Sequence, residues 1–275
     1  MNHYLLKERR LNMLKKNNKD RLTLISFVAF TLLALNTQQV QARTWQEIQQ
    51  SGVLKVGLTE DYAPLSFHAK SGKLEGFAVD MTSALAKSLH LKVQFIKTTW
   101  PSLSQDLAAD KFDLAAGGVT RTKKRAEQFL LSDSVAKNGK IILSNCHNKK
   151  PLSTLEDIDK PSVKVIVNPG GTNQTYVDDH IKNADIILTK KNFANLQGIR
   201  DRSADAMITD LIEGNYYQLH EKGVFCVSSK TILAGTSSVK VYMMKKDNSH
   251  LLKKVNNWLQ GNESSTLAQR WGIAQ

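Results

Sequence analysis

Metal-ligand clusters are missing from this sequence. It has two cysteines, and its seven histidines are dispersed, with no H-x-x-x-H pair and no Cys/His group. Such spacing is what a bound zinc requires, so neither a metal nor a cofactor is expected. Long apolar runs are equally scarce. After residue 42 no stretch approaches the roughly 20 apolar residues that a membrane-crossing helix needs, so no such helix is expected there. No low-complexity tract occurs. The glycine-rich run 168–173 has no Gly-Lys-Ser/Thr after it, so it is not a phosphate-cradling P-loop. Acidic residues are in the minority, 25 against 38 Lys and Arg. The lysines are scattered and accompany no recognised nucleic-acid motif, so no nucleic-acid partner is expected.

What is present divides at residue 42. Residues 1–21 carry seven Lys and Arg against two Asp and Glu, five of the formal +13 charge. An uncharged apolar run covers residues 22–35, and a polar stretch ends Val40-Gln41-Ala42. A basic region, an apolar run and a small-x-small site make the pattern of a secretory signal peptide. The expectation is a signal peptide over 1–42, cleaved after Ala42, and a periplasmic mature chain. An uncleaved N-terminal anchor is the alternative, and Met13 is a second candidate start. The mature chain keeps about +8 of charge, which suits an anionic ligand. Cys146 and Cys226, an even count in an exported protein, are expected to pair as a disulfide.

The chain after residue 42 is long enough for two cores, with 41% apolar and 23% charged residues overall, as in ordinary globular proteins. Apolar runs predict strands at 53–58, 93–96 and 112–116, with helices over 79–90 and from Trp100-Pro101-Ser102. The order then repeats. Strands are predicted at 141–143, 163–167, 184–188 and 206–209, a capping box at Ser153–Glu156, a helix after 168–173, and a helical C-terminus over 249–271. Alternating strands and helices imply parallel sheets covered by helices. The expected fold class is α/β. Lobe 1 takes 43–137 and 238–275, and lobe 2, inserted into it, takes 138–237. A ligand would lie between the lobes, at the carboxyl ends of their strands.

Three segments could meet such a ligand. Gly117–Arg125 follows the third strand and carries the hydroxyls of Thr120 and Thr122. Its Arg125 offers a planar fork for a carboxylate, or else belongs to a solvated basic helix face. Asn168–Asn173 precedes a helix and is either an anion-binding turn or a simple capped one. In Thr209–Glu213, Asp210 is a helix cap or a cleft carboxylate. Residue type alone favours a solvated helix position for Glu213.

These segments, with Gly52–Gly57, Asp61-Tyr62-Ala63-Pro64, Gly76–Met81 and the T-x-T-x-x-R at 120–125, resemble the family 3 solute-binding proteins of polar amino-acid transporters. The resemblance implies a type II periplasmic-binding-protein fold, two α/β lobes joined by a two-strand hinge. It implies that Arg125 grips a ligand carboxylate, with Thr120 and Thr172 assisting, and that Asp210 receives an α-ammonium. Thr98–Pro101, Lys137–Lys140, 168–173, Thr209–Glu213 and both cysteines are similar to one branch of that family, the periplasmic cyclohexadienyl dehydratases. By that resemblance Glu213 is a general acid, and Tyr62, Trp100, Lys140 and Asn173 shape the substrate site. Gly117, Leu65 and Gln174 depart from the branch, which carries Ser, Phe and Glu there. The implied activity is dehydration of prephenate or arogenate. The alternative is an amino-acid receptor whose partner is an ABC transporter membrane component. In both, the ligand is a small carboxylated molecule. A sensor domain is a third reading, but no transmembrane or kinase segment follows.

Overall fold

The computed structural model of the protein describes residues 43–275. The expected signal peptide, its cleavage site and the choice of start codon lie outside the described residues. Among the described residues no helix is long and apolar enough to cross a membrane.

Helix α1 (Trp45–Ser51) opens the first lobe on a capping box between Thr44 and Glu47. It leads into β1 (Val53–Leu58), whose Leu54, Val56 and Leu58 are fully buried. Each is worth about 1.5–3 kcal/mol of burial. A small antiparallel sheet follows, of β2 (Asp61–Tyr62), β3 (Ser66–His68) and β4 (Leu74–Glu75). Helix α2 (Phe77–Ser88), strand β5 (Lys92–Lys97), helix α3 (Leu103–Ala108) and strand β6 (Leu114–Ala115) come next. After them stand α4 (Lys123–Gln128) and β7 (Leu130–Leu131).

The chain then crosses through β8 (Ala136–Asn138) to the second lobe. There β9 (Lys140–Asn145), α5 (Leu155–Ile158), β10 (Lys164–Val167), α6 (Thr172–His180) and β11 (Asp185–Leu188) follow in order. Helix α7 (Asn192–Arg200), β12 (Ala206–Asp210), α8 (Leu211–His220) and β13 (Phe225–Val227) complete it. The chain returns through β14 (Ser238–Lys240), antiparallel to β8. It ends in the first lobe with β15 (Met243–Met244), α9 (Ser249–Leu259) and α10 (Asn262–Arg270). The last two helices pack on α2. The first-lobe sheet has the order β5-β1-β6-β15-β7 and the second β11-β10-β12-β9-β13.

The expected strands are therefore present, but the sheets are mixed. β1 is parallel to β5 and β6, and β10 to β11 and β12. Strands β9 and β15 run antiparallel to their neighbours. These two follow the lobe crossings directly, without the helical crossover that a parallel neighbour needs. Three smaller expectations are corrected. The capping box joins Thr154 to Asp157 rather than Ser153 to Glu156, because the helix starts one residue later, at Leu155. Trp100-Pro101-Ser102 is a turn ahead of α3 rather than its first turn. The C-terminal helix is two, broken at Gly261, whose extended backbone caps α10.

Both faces of β9 and β12 are buried, which is why KIILSN and AMITD read as continuous rather than alternating runs. The Cys146–Cys226 disulfide joins the end of β9 to its antiparallel neighbour β13.

Candidate active site

Strand β12 ends at Asp210, and its backbone caps α8. The side chain does not: it makes no capping hydrogen bond and turns into the cleft. Four donors converge on it. Oδ2 accepts from the Tyr62 hydroxyl at 2.5 Å and from Lys240 Nζ at 2.6 Å. Oδ1 accepts from Asn138 Nδ2 at 2.8 Å and has Lys140 Nζ at 3.6 Å. The topology explains each partner. Lys140 is the cross-strand neighbour of Asp210 on β9. Asn138 and Lys240 arrive on the two hinge strands, β8 and β14. Tyr62 comes from the first lobe. Burial alone would raise the Asp210 pKa, but the charges of Lys240 and Lys140 more than reverse this and hold the carboxyl well below its usual range.

Glu213, three residues on, shares a face of α8 with Asp210. It is 0% exposed, so the solvated-helix expectation from residue type is wrong. Oε1 accepts from Asn192 Nδ2 at 2.5 Å, and Oε2 accepts from the Thr209 hydroxyl. The Asn192 amide also donates to the Asp61 carbonyl at 3.1 Å. A carbonyl demands a donor, which fixes the amide orientation. Burial pushes the Glu213 pKa up to about 8, against the pull of the Thr209 and Asn192 hydrogen bonds, and the charges of Asp210 and Asp61 add to the rise. Two carboxylates on one helix turn are thus driven apart, one held ionised and one held protonated at neutral pH.

The cleft is lined from both lobes and, in this closed arrangement, is narrow and mostly filled by its own side chains. Tyr62 and Trp100 form an apolar wall, edge to face at 5.9 Å. The Trp100 indole donates to Asp61 Oδ1 at 3.1 Å. Gly118 packs closely against the Tyr62 ring; a Cβ there would sit 2.3 Å from Cε1. Arg125 lines the cleft and is half-buried on α4. One of its nitrogens donates to the Thr120 carbonyl at 2.7 Å. Thr122 caps α4 by accepting from the Arg125 amide, so its hydroxyl serves the helix and not the cleft.

Lys240 also donates to Thr120 Oγ1 at 2.8 Å, and Lys140 to Thr172 Oγ1 at 3.1 Å. Each hydroxyl oxygen thus accepts from a lysine and keeps its own hydrogen to donate. Lys140 itself stands behind the cleft lining, held also by Asn173 Oδ1 at 2.5 Å. Gly171, Thr172 and Asn173 present the N-terminus of α6 to the cleft.

The expected residues Tyr62, Trp100, Thr120, Arg125, Thr172, Asn173, Asp210 and Glu213 therefore meet in one cleft, with Lys140 one layer back. Lys240, Asn192 and Asn138 were not expected. The sequence signal for Lys240 is a lone charge inside the apolar run Val239–Met244. Asn138 lies in the Lys137–Lys140 run that carries the resemblance, but nothing there marks its role; Asn192 has no signal, since it acts through a partner distant in the chain. The departure at Gln174 keeps an acceptor, which takes the Gly170 amide at 2.7 Å. Gly117 has φ +79°, and a Cβ there would meet Ser66 Oγ at 2.8 Å, so a side chain at this position needs a different local packing. Among the described residues no three His, Cys, Asp or Glu side chains are grouped to hold a metal.

Residues 54–272 match the family of bacterial extracellular solute-binding proteins, family 3. The chain is 34% identical over 245 residues to a cyclohexadienyl dehydratase of Pseudomonas aeruginosa, covering 89% of this chain and 90% of that one. It is 25% identical over 211 residues to an L-cystine-binding protein of Escherichia coli, covering 77% of each. Among solved structures, an ancestral amino acid-binding protein, a precursor of cyclohexadienyl dehydratase, is 33% identical. It superposes with a TM-score of 0.75 over 82% of this chain and 98% of that one. An ancestral arginine-binding protein bound to arginine is 25% identical, with a TM-score of 0.72 over 80% and 98%. The two mixed α/β lobes of this chain superpose on those solved structures over most of their length, and the chain belongs to the bacterial extracellular solute-binding proteins, family 3.

Proposed function

We propose that the protein is a periplasmic cyclohexadienyl dehydratase, converting prephenate to phenylpyruvate, L-arogenate to L-phenylalanine, or both. The observation that carries this reading is Glu213, a carboxyl buried in the cleft and raised to about 8. A receptor gains nothing from a neutral acid at that point, whereas loss of hydroxide demands one. The dehydratase relative, which aligns over most of both chains, supports the same reading.

In this mechanism Arg125 takes one substrate carboxylate, with the Thr120 hydroxyl beside it. The Thr172 hydroxyl, backed by Lys140 and by the N-terminus of α6, takes the other. Tyr62 and Trp100 wall the ring and exclude water. Oε1 of Glu213 accepts from Asn192, so the acidic proton is carried on Oε2. That proton passes to the ring hydroxyl as its C–O bond breaks, and water leaves. The bond from the ring to its carboxylate breaks in the same process. Its electron pair completes the aromatic ring, and carbon dioxide departs. Glu213 then recovers a proton from solvent.

The proposal places export on a signal peptide cleaved after Ala42, and the lobe boundaries at 137/138 and 237/238, on the paired strands β8 and β14. Purified protein mixed with prephenate should release phenylpyruvate. Glu213→Gln should keep substrate affinity while turnover falls about 10²–10⁴-fold, the usual worth of a positioned acid. The receptor reading has its own outcome: no turnover in either protein, and weaker binding of a cationic amino acid in the variant.

A further inference from the structure

Resting on the dehydratase reading, a carboxylate of the first lobe bears on how the acid is held. Asp61 opens β2, is half-buried, and stands behind the cleft lining. Its side chain accepts from both lobes. Oδ1 takes the Trp100 indole at 3.1 Å, from the first. Oδ2 takes the Asn192 backbone amide at 3.4 Å, from the second. The Asp61 carbonyl takes the Asn192 side-chain amide at 3.1 Å, and the same nitrogen donates to Glu213 Oε1 at 2.5 Å. One residue therefore grips Asn192 by its backbone and by its side chain, and Asn192 in turn grips the acid.

The start of α7 explains why a carboxylate is suited to this place. Asn192 is the first residue of that helix, and the cap residue before it, Lys191, makes no side-chain capping bond. The first-turn amides of a helix need an acceptor and carry partial positive charge. Asp61 supplies the acceptor from the opposite lobe. Burial raises its pKa, while the Asn192 and Trp100 donors favour its ionised form. Glu60, next in the chain, is engaged elsewhere, with His68 Nε2 and Lys97 Nζ each at 2.9 Å. The titratable groups that act on Glu213 are Asp210, Asp61, Lys240 and the phenols of Tyr62 and Tyr217. Among them Asp61 is coupled to the acid twice, by its charge and, through Asn192, by position.

We infer that Asp61 is a positioning residue of the dehydration: from the first lobe it fixes both the Trp100 wall and Asn192, and through Asn192 it aims the Glu213 carboxyl at the substrate ring.

The test uses two variants. Asp61→Asn keeps the shape and removes the charge; Asp61→Glu keeps the charge and displaces the hydrogen bonds by one methylene. In both, kcat for prephenate should fall about tenfold or more while KM changes by less, since Asp61 acts on the acid and not on the bound carboxylates. The alkaline limb of kcat, at about 8 in wild type, should stay in place in Asp61→Glu. In Asp61→Asn it should lie about half a pH unit or more lower, the size of effect that one nearby charge exerts. A purely architectural Asp61 would change the melting temperature and leave the limb where it is. Wild-type kcat in either folded variant overturns the inference, and so does an unmoved limb in Asp61→Asn. Where one variant fails to fold, the other decides. Infrared titration of the protonated Glu213 carboxyl, assigned by its loss in Glu213→Gln, follows the same midpoint without turnover. Failure of the dehydratase reading shows as a wild type that leaves prephenate intact; the midpoint then decides for Asp61 by itself. An active wild type whose midpoint equals that of Asp61→Asn sinks the inference and spares the reading.

Discussion

Glu213 and Asp210 sit three residues apart and yet titrate in opposite directions, and each direction has a consequence that pH exposes. The acid form of Glu213 is the reactive one, so kcat should fall as pH rises through about 8, and steady-state assays between pH 6 and 9.5 should show that limb. Stability follows the same group. Its folded pKa lies above the unfolded one, so its contribution is fully present below about 4.5 and is lost as pH rises toward about 8. Glu213→Gln should therefore gain in melting temperature over wild type between pH 5 and 8, with the gap widening as pH rises. A constant gap would place the glutamate in a wetter environment. Asp210, held low, works the other way: what it contributes is present at neutral pH and lost only in strong acid. Asn192→Ala removes the donor that fixes Glu213 Oε1. Its kcat should drop about tenfold or more with little change in KM, since Asn192 acts on the acid and not on the bound carboxylates. Residue chemistry was partly legible in the sequence. Arg125, Thr172 and Asp210 were found through motif resemblance, but burial of Glu213 could not be read from its type. It depends on Asn192 and Asp61, brought in from elsewhere by the fold.

At the level of elements, the turn before α6 is tightly constrained. Gly170 has φ +76°, a conformation that side chains rarely adopt, and a Cβ there would meet Pro101 of the first lobe at 2.5–2.6 Å. Gly170→Ala should thus hold the lobes apart. KM should rise by about tenfold or more, while the second-lobe core keeps its packing; small-angle scattering of the liganded protein would show the wider opening. The disulfide belongs to the same scale but to the other end of β9. Lys140 starts that strand and Cys146 follows its last residue, on the order of 20 Å away. Replacing both cysteines with serine should cost a few kcal/mol of unfolding free energy, as for other long enclosed loops, and leave kcat/KM nearly unchanged. Denaturant titration and a parallel assay check both halves. Strand positions were legible because apolar runs survive in any sheet. Strand direction was not, since the pattern of burial in β9 and β15 is the same for either orientation. Short helices such as α1 and α7 passed unnoticed because few turns give little periodicity.

The whole molecule is two sheets linked by the paired strands β8 and β14, and the residues of the site are divided between them. Tyr62, Trp100, Thr120 and Arg125 come from the first lobe. Thr172, Asn173, Asn192, Asp210 and Glu213 come from the second, and Lys240 from the hinge. The two-lobed plan was legible from the repeat of strand and helix order, because each half must bury its own apolar faces. The role of the hinge was not, because Lys240 is the neighbour of Asp210 only after the chain has crossed twice. That placement has a kinetic side. The Tyr62 hydroxyl on Asp210 and the Asn192 amide on the Asp61 carbonyl join protein to protein across the lobes. Parting the lobes means rehydrating a carboxylate and two lysines that had been serving one another. The residence time of whatever the cleft encloses is thereby written into the protein's own bonds, and a slow exit would make departure of product, more than the chemistry, the pacemaker of each cycle.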